Sequence, residues 1–201
     1  VTGYVTKAAS DLTGLPEKLP VCGGGGDAVI QTTGMGIVQE GTVGLVIGTS
    51  GVVSMPLRSF GKNIGGKLQY FCNNDRRLWQ AFGCQLSSGG SLEWFKNAVY
   101  ADMDDAYEAI NREIEMVKAD AERLLFFPYL TGERCPYVDP DARGVFFGLS
   151  LRHSRADMVK AVMEGVTFGL NQIFELIKAS APDLNPKQII SSGGASKSRA
   201  W

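Results

Sequence analysis

Gly23-Gly24-Gly25-Gly26-Asp27 follows the apolar triplet Pro20-Val21-Cys22 and precedes a second apolar stretch that begins at Ala28. Four consecutive glycines are not there for stability: each loses a large conformational entropy on ordering and brings no side chain to pack. Two readings are open. In one, bare backbone lets a bulky polar ligand approach closely, and Asp27 is the first side chain it meets, a carboxylate able to accept a proton or face a metal. In the other, the segment is a flexible surface turn with Asp27 at the N-terminus of a helix.

Other stretches repeat this punctuation. Val43 to Ile47 and Val52 to Met55 are apolar and β-branched and flank Gly48-Thr49-Ser50-Gly51, which predicts a hairpin. Its turn offers glycine N–H groups and two hydroxyls, the donors that suit phosphate oxygens; a plain hairpin turn uses the same residues. Gln188 to Ser191 reads as a strand leading into Ser192-Gly193-Gly194-Ala195-Ser196-Lys197-Ser198. This is not a Walker A loop, because Ser196 stands where a glycine must precede the lysine and the spacing fails. Ser87-Ser88-Gly89-Gly90-Ser91 opens a helix carrying Leu92, Trp94, Phe95 and Val99, with Glu93 in its first turn. A glycine-rich helix start exposes N–H groups and the positive dipole end to an anion, unless Ser88 or Ser91 caps it. Three strand-then-glycine loops in one small α/β chain, at 23–27, 48–51 and 193–198, predict a nucleotide or sugar phosphate held where strand ends converge.

The remaining segments read as framework. Thr6 to Leu12 is a short helix stopped by Thr13-Gly14-Leu15-Pro16, and Leu68 to Cys72 is a strand followed by the turn Asn73-Asn74-Asp75. Pro56 to Lys67 reads as polar and irregular. Asp104 to Asp120 carries Tyr107, Ile110, Ile114 and Val117 at helical spacing, a docked surface helix with a solvated charged face. Leu124 to Phe127 reads as a buried strand. The long loop after it holds Glu133 and Arg134, read as a structural ion pair in preference to part of a substrate wall. Ser154 and Asp157 form a capping-box variant ahead of the clearest helix, Val159 to Ile177, in which Gly165 and Gly169 permit close approach of another element.

Composition excludes several classes of function. With 201 residues, a formal charge of −1 and pI near 5.9, the chain can bury a core and has no basic field for nucleic acid or anionic lipid. No apolar run is long enough to span a bilayer, no leader pattern opens the chain, and the expectation is a cytoplasmic protein. Cys22, Cys72, Cys84 and Cys135 form no C-x-x-C pair, so they are expected to be reduced, mostly buried thiols rather than zinc ligands. His153, the single histidine, lies among Arg152, Ser154 and Arg155 and reads as a solvated loop residue. The start at Val1 and the end at Trp201, directly after a glycine loop, suggest a piece of a longer protein.

Gly144-Val145-Phe146-Phe147-Gly148-Leu149 and, after seven intervening residues, Asp157-Met158-Val159-Lys160-Ala161-Val162-Met163-Glu164 resemble the second signature of the FGGY family of sugar kinases. Phe126 to Arg134, Asp139 to Gly144, and Phe71-Cys72 with downstream Trp79 are similar to loops of that family's ketopentose kinases; gluconokinases share several of them. The resemblance implies an α/β, ribonuclease-H-like fold of the kind seen in actin, Hsp70 and hexokinase, here partial. Residues 1–42 would end a first, sugar-side domain and residues 43–201 would form most of a second, nucleotide-side domain. It implies that Asp27 is the general base and, with Gly26, touches the sugar. Gly48, Thr49 and Gly51 would lie along the ATP phosphates, Gly89 and Glu93 would flank the nucleotide, and Gly194 and Ser198 would border the adenosine. No residue is assigned as a metal ligand. Mg²⁺-ATP is the implied donor and D-xylulose the implied acceptor, with gluconate or another sugar as the alternative. Nucleic acid and membrane are not implied, a homodimer is left open, and the isolated piece is expected to be inactive. The rival from another class is a non-catalytic actin-like nucleotide-binding module.

Overall fold

Thr6 does what its position requires: its hydroxyl accepts the Ala9 N–H of α1 (Lys7–Thr13), and Gly14, at φ 74°, closes that helix in the left-handed region. The computed structural model describes residues 1–62, 65–117 and 123–201. On either side of α1, β1 (Gly3–Tyr4) and β2 (Pro20–Val21) pair antiparallel. The glycine run leaves β2, takes a positive φ at Gly24, and ends in Gly26, the N-cap of α2 (Asp27–Gly34). Three contacts seat this N-terminal part on the rest of the chain. Ile37 is fully buried and lies where a Cβ on Gly44 would be, Glu40 pairs with Arg58, and Asn74 donates to the Thr33 hydroxyl.

The chain continues through β3 (Thr42–Ile47), β4 (Gly51–Leu57), β5 (Gln69–Cys72), β6 (Trp79–Gln85), α3 (Gly89–Val99), α4 (Ala106–Met116), β7 (Leu125–Phe127) and β8 (Val145–Phe147). It ends with α5 (Arg155–Ser180), β9 (Gln188–Ser192) and a 3₁₀ turn at Gly194–Lys197. Five strands make the main sheet in the order β5-β6-β4-β3-β9, antiparallel except for the β3–β9 pair. β7 and β8 form a separate antiparallel pair. α5 bridges the two: Val166, Leu170, Ile173 and Ile177 pack on Val43, Val53, Met55 and Ala81, while Val159, Val162 and Met163 join Phe95, Ile110, Ile114 and Phe126. Both halves of the Ser154–Asp157 capping box are present.

Several expectations change. β4 runs on through Pro56 and Leu57, because pairing with β3 ends at Ser54 and proline then faces a side with no partner strand. β6 is a central strand that its own sequence conceals: Gln80 and Gln85 interrupt the apolar run yet are fully buried, their side-chain oxygens accepting Asn73 and Ser88. β7 buries only Phe126, leaving Leu125 and Phe127 exposed. α4 buries Ala106, Ala109, Ile110 and Ile114 but not Tyr107; the end of the predicted Asp104–Asp120 helix, residues 118–120, lies outside the described residues. All four cysteines are free, but only Cys135 is buried; Cys22, just after β2, and Cys72, at the end of the edge strand β5, are exposed.

Gly165 shows why α5 carries glycine. A Cβ there would lie 2.1 Å from the Phe126 carbonyl oxygen, a backbone atom of β7 that cannot swing aside. Gly165→Ala is therefore expected to cost about 2 kcal/mol, read as a lower urea midpoint, although alanine is favoured over glycine in a helix by about 1 kcal/mol. A midpoint that stays level or rises would show that α5 is not seated on β7 in this way.

Candidate functional site

The β3–β4 turn is clamped on two sides by backbone. On one side the Gly48 carbonyl accepts the Gly89 N–H at 2.8 Å, and the Thr49 carbonyl accepts the N–H groups of Ser88 and Gly90 at 2.9 and 3.0 Å. The start of α3 is thus capped by the hairpin tip. This corrects both sequence readings: the first N–H groups are not open to an anion, and neither Ser88 nor Ser91 supplies a side-chain cap. Such proximity requires glycine, since a Cβ on Gly89 would lie 2.4 Å from the Gly48 oxygen. On the other side Gly193, at φ 96°, passes so close to β3 that a Cβ would lie 2.3 Å from the Ile47 oxygen.

Around this clamp opens a cavity of about 520 Å³. Gly48, Thr49, Gly89 and Gly194 give it bare backbone, and Leu92, Ile110 and Trp201 give it apolar surface. Glu93, Asn111, Lys197 and Ser198 supply its polar groups. Six of the residues proposed from sequence for the nucleotide therefore line one space: Gly48, Thr49, Gly89, Glu93, Gly194 and Ser198. Gly51 does not. It opens β4 beneath the turn, wedged where a Cβ would strike Ser88 and Leu170, so its glycine is demanded by packing.

The first glycine loop is not part of this cavity either. Gly25 packs beside Ile30 and Asn74, Gly26 meets nothing within 4 Å, and Asp27 is exposed with its Oδ1 accepting the Ala28 N–H at 2.7 Å. Of the three loops expected to converge, two do so, and the start of α3 takes the place of the third. The sequence places Tyr107 and Ile110 on a docked surface helix and gives Asn111 no role, yet the three sit within one turn on α4 and line the cavity together. Their i, i+3, i+4 spacing was the available signal. A second groove, about 650 Å³, lies on another side of Trp201, between α5 and Arg123, with Ile114, Leu125, Met163 and Phe168 along it. No residue proposed from sequence lines it.

Two polar networks hold the cavity walls. Glu113, on α4 beyond Asn111, pairs with Arg155 and accepts the Tyr100 hydroxyl at 2.7 Å; the Arg155 guanidinium keeps its carboxyl below the usual range. Glu133 is buried and does not pair with Arg134, contrary to the sequence expectation. Its Oε1 accepts the backbone N–H groups of Leu86, Arg134 and Cys135 at 3.0, 2.8 and 3.4 Å, while Oε2 is buried without a partner. A carboxylate on the long loop thus fixes the end of β6, three residues before Gly89. Desolvation pushes its pKa up, and the backbone donors only partly oppose this. His153 is half-buried, with Nδ1 accepting the Ser150 N–H at 2.9 Å. Asn73 and Asp75 are engaged in their own turn and with Arg77. Among the described residues no cluster of three His, Cys, Asp or Glu side chains could hold a metal ion, and no helix is long and apolar enough to cross a membrane.

An α/β layer with a nucleotide-sized cavity at the ends of β3 and β9 is the actin- and hexokinase-like ATPase fold, shared with solved sugar kinases. Residues 43–201 match the C-terminal domain model of the FGGY family of carbohydrate kinases, and the chain belongs to that family. It is 34% identical over 199 residues to a xylulose kinase of Staphylococcus epidermidis, covering 99% of this chain and 39% of that protein. A gluconokinase of Bacillus subtilis is 28% identical over 197 residues, covering 94% of this chain and 38% of that protein. The crystal structure of xylulose kinase from Rhodospirillum rubrum superposes with a TM-score of 0.91 at 29% identity, covering 100% of this chain and 40% of that one. The chain thus spans about two fifths of the length of these relatives.

The Glu133 network has a measurable signature. Its folded pKa lies above the unfolded value, so the folded state holds the extra proton and stability falls as pH rises from the ordinary glutamate range through the folded value. Glu133→Gln, which keeps an oxygen for the three N–H groups, is expected to flatten that slope in urea unfolding series. Glu133→Ala leaves those donors buried and unpaired and is expected to cost about 3 kcal/mol. Equal stability of all three forms across that range would refute the assignment.

Proposed function

We propose that this chain is the nucleotide-side part, with the adjoining end of the sugar-side part, of a cytoplasmic kinase that transfers the γ-phosphoryl group of ATP to D-xylulose. One observation carries the reading: six residues proposed for the nucleotide from sequence, far apart in the chain, line a single cavity floored by glycine backbone. Phosphoryl transfer asks the protein mainly for positioning and for stabilisation of charge, and a rigid set of backbone bends suits that task. Leu92, Ile110 and Trp201 suit a flat base, and the Gly48–Thr49 tip lies beside them for the phosphates. Lys197, also a lining residue, would add positive charge near the phosphates. Mg²⁺, bound chiefly through phosphate oxygens and water, would neutralise further charge on the transferring group.

Residues 1–42 are assigned to the sugar side. Asp27 is the proposed base: the residue is exposed, Oδ1 is engaged by the Ala28 N–H, and Oδ2, which makes no hydrogen bond among the described residues, would take the proton of a sugar hydroxyl as that oxygen attacks phosphorus. Because Asp27 is not on the cavity wall, the two sides act together only when the acceptor bridges them. Gluconate is the second acceptor to weigh, given the gluconokinase similarity at 28% identity.

In the full-length polypeptide that carries this sequence, sugar-dependent ADP release is expected with D-xylulose in preference to gluconate. Asp27→Asn is expected to lower turnover about a thousandfold while nucleotide affinity stays within about twofold. Near-normal turnover of the variant would refute the base, and preference for gluconate would refute the acceptor. Nucleotide binding without ADP release on any sugar would favour a non-catalytic actin-like module.

A further inference from the structure

We propose that Asn111 reads the base of the bound nucleotide, donating a hydrogen bond from its side-chain amide to a purine ring nitrogen; this rests on the nucleotide reading of the cavity. A chain of hydrogen bonds links Trp201, Ser198 and Asn111. The Trp201 backbone N–H, which can only donate, bonds to Ser198 Oγ at 3.2 Å. Ser198 in turn donates its hydroxyl proton to Asn111 Oδ1 at 2.8 Å. That bond occupies Oδ1 as acceptor, and the NH₂ group has no partner on the protein among the described residues. Asn111 lines the cavity together with Tyr107, Ile110, Ser198 and Trp201, so the unpaired donor belongs to a half-buried side chain among apolar lining residues.

The side chain is also held in place before any ligand arrives. α4, which carries it, is tied to α3 and α5 through Glu113, Tyr100 and Arg155. Trp201 is tied to α5 through its indole N–H and the Thr167 hydroxyl at 3.1 Å. A rigid donor beside the apolar surface of Leu92, Ile110 and Trp201 is matched by a flat heterocycle with a lone pair in its plane. Adenine presents such nitrogens at N1, N3 and N7. Each loses its lone pair when the nitrogen is replaced by C–H.

The test uses ATP and its 1-deaza, 3-deaza and 7-deaza analogues, titrated against the full-length polypeptide by calorimetry. One analogue is expected to bind about tenfold more weakly than ATP, the factor of a single neutral hydrogen bond. Asn111→Asp, which still accepts from Ser198 but cannot donate, is expected to weaken ATP binding by a similar factor. It should cause no further loss for that one analogue, while the other two analogues lose as ATP does. If all three analogues bind wild-type protein within twofold of ATP, or if Asn111→Asp weakens all four ligands equally, the proposal is overturned and Asn111 is merely structural. Should Asn111→Asp fail to fold, the wild-type analogue series decides alone. Ser198→Ala, which releases the amide, is then expected to erase most of the discrimination against the same analogue. Absence of binding by any adenine nucleotide would overturn the nucleotide reading itself, an outcome distinct from uniform binding of all four.

Discussion

The site depends on backbone packed against backbone at the tip of the β3–β4 hairpin. The Gly48 and Thr49 carbonyls cap α3 through the N–H groups of Ser88, Gly89 and Gly90, and Gly193 crosses β3 at Ile47 with no room for a Cβ. These contacts fix where α3 starts and how the chain leaves β9. The cavity between them is a consequence of that geometry. Its floor is main chain, which is already hydrogen-bonded and has no rotamers to lose when a ligand arrives.

The rest of the fold holds this clamp in place. α5 crosses the sheet and β7 on two glycines, Gly165 against the Phe126 carbonyl and Gly169 against the Gln85 side chain. Gln85 accepts the Ser88 hydroxyl, so the residue touched by α5 also steadies the approach to α3. Glu133 reaches from the long loop to the Leu86 N–H and anchors the same junction from another direction. The segment between β6 and α3 is thereby gripped from the hairpin, the long helix and the loop at once, with buried polar groups providing much of the specificity.

Much of this was legible in the sequence, and the reasons differ by element. The hairpin, the Ser154–Asp157 cap and the long helix follow from local chemistry: turn residues, a capping pair, and apolar positions at helical spacing. Six of the residues proposed for the nucleotide share one cavity, and three of them, Gly48, Gly89 and Gly194, stood out because glycine leaves a mark wherever backbone must come close. What escaped was set by tertiary contact. β6 hides behind two buried glutamines whose partners lie across turns, and the role of Glu133 depends on one N–H group 47 residues away, that of Leu86, as well as on its neighbours. Asn111 looks like part of a solvated helix face until the loop at Ser198 folds over it. Gly51 misled because a packing glycine and a ligand glycine look alike in one dimension. The glycine run before Asp27 is the opposite case: no side of the described cavity includes it, and its positive φ at Gly24 and its place as the cap of α2 account for two of its four residues.

The central claim is that the clamp at Gly48, Gly89 and Gly193 shapes a nucleotide pocket. Photolabelling of the full-length polypeptide with 8-azido-ATP, followed by peptide mapping, tests it most directly. The account predicts ATP-protectable labelling in peptides from 89–93, 107–111 and 194–201. Protectable labelling confined to the groove around Arg123, Met163 and Phe168, or to the face around Asp27, would contradict it.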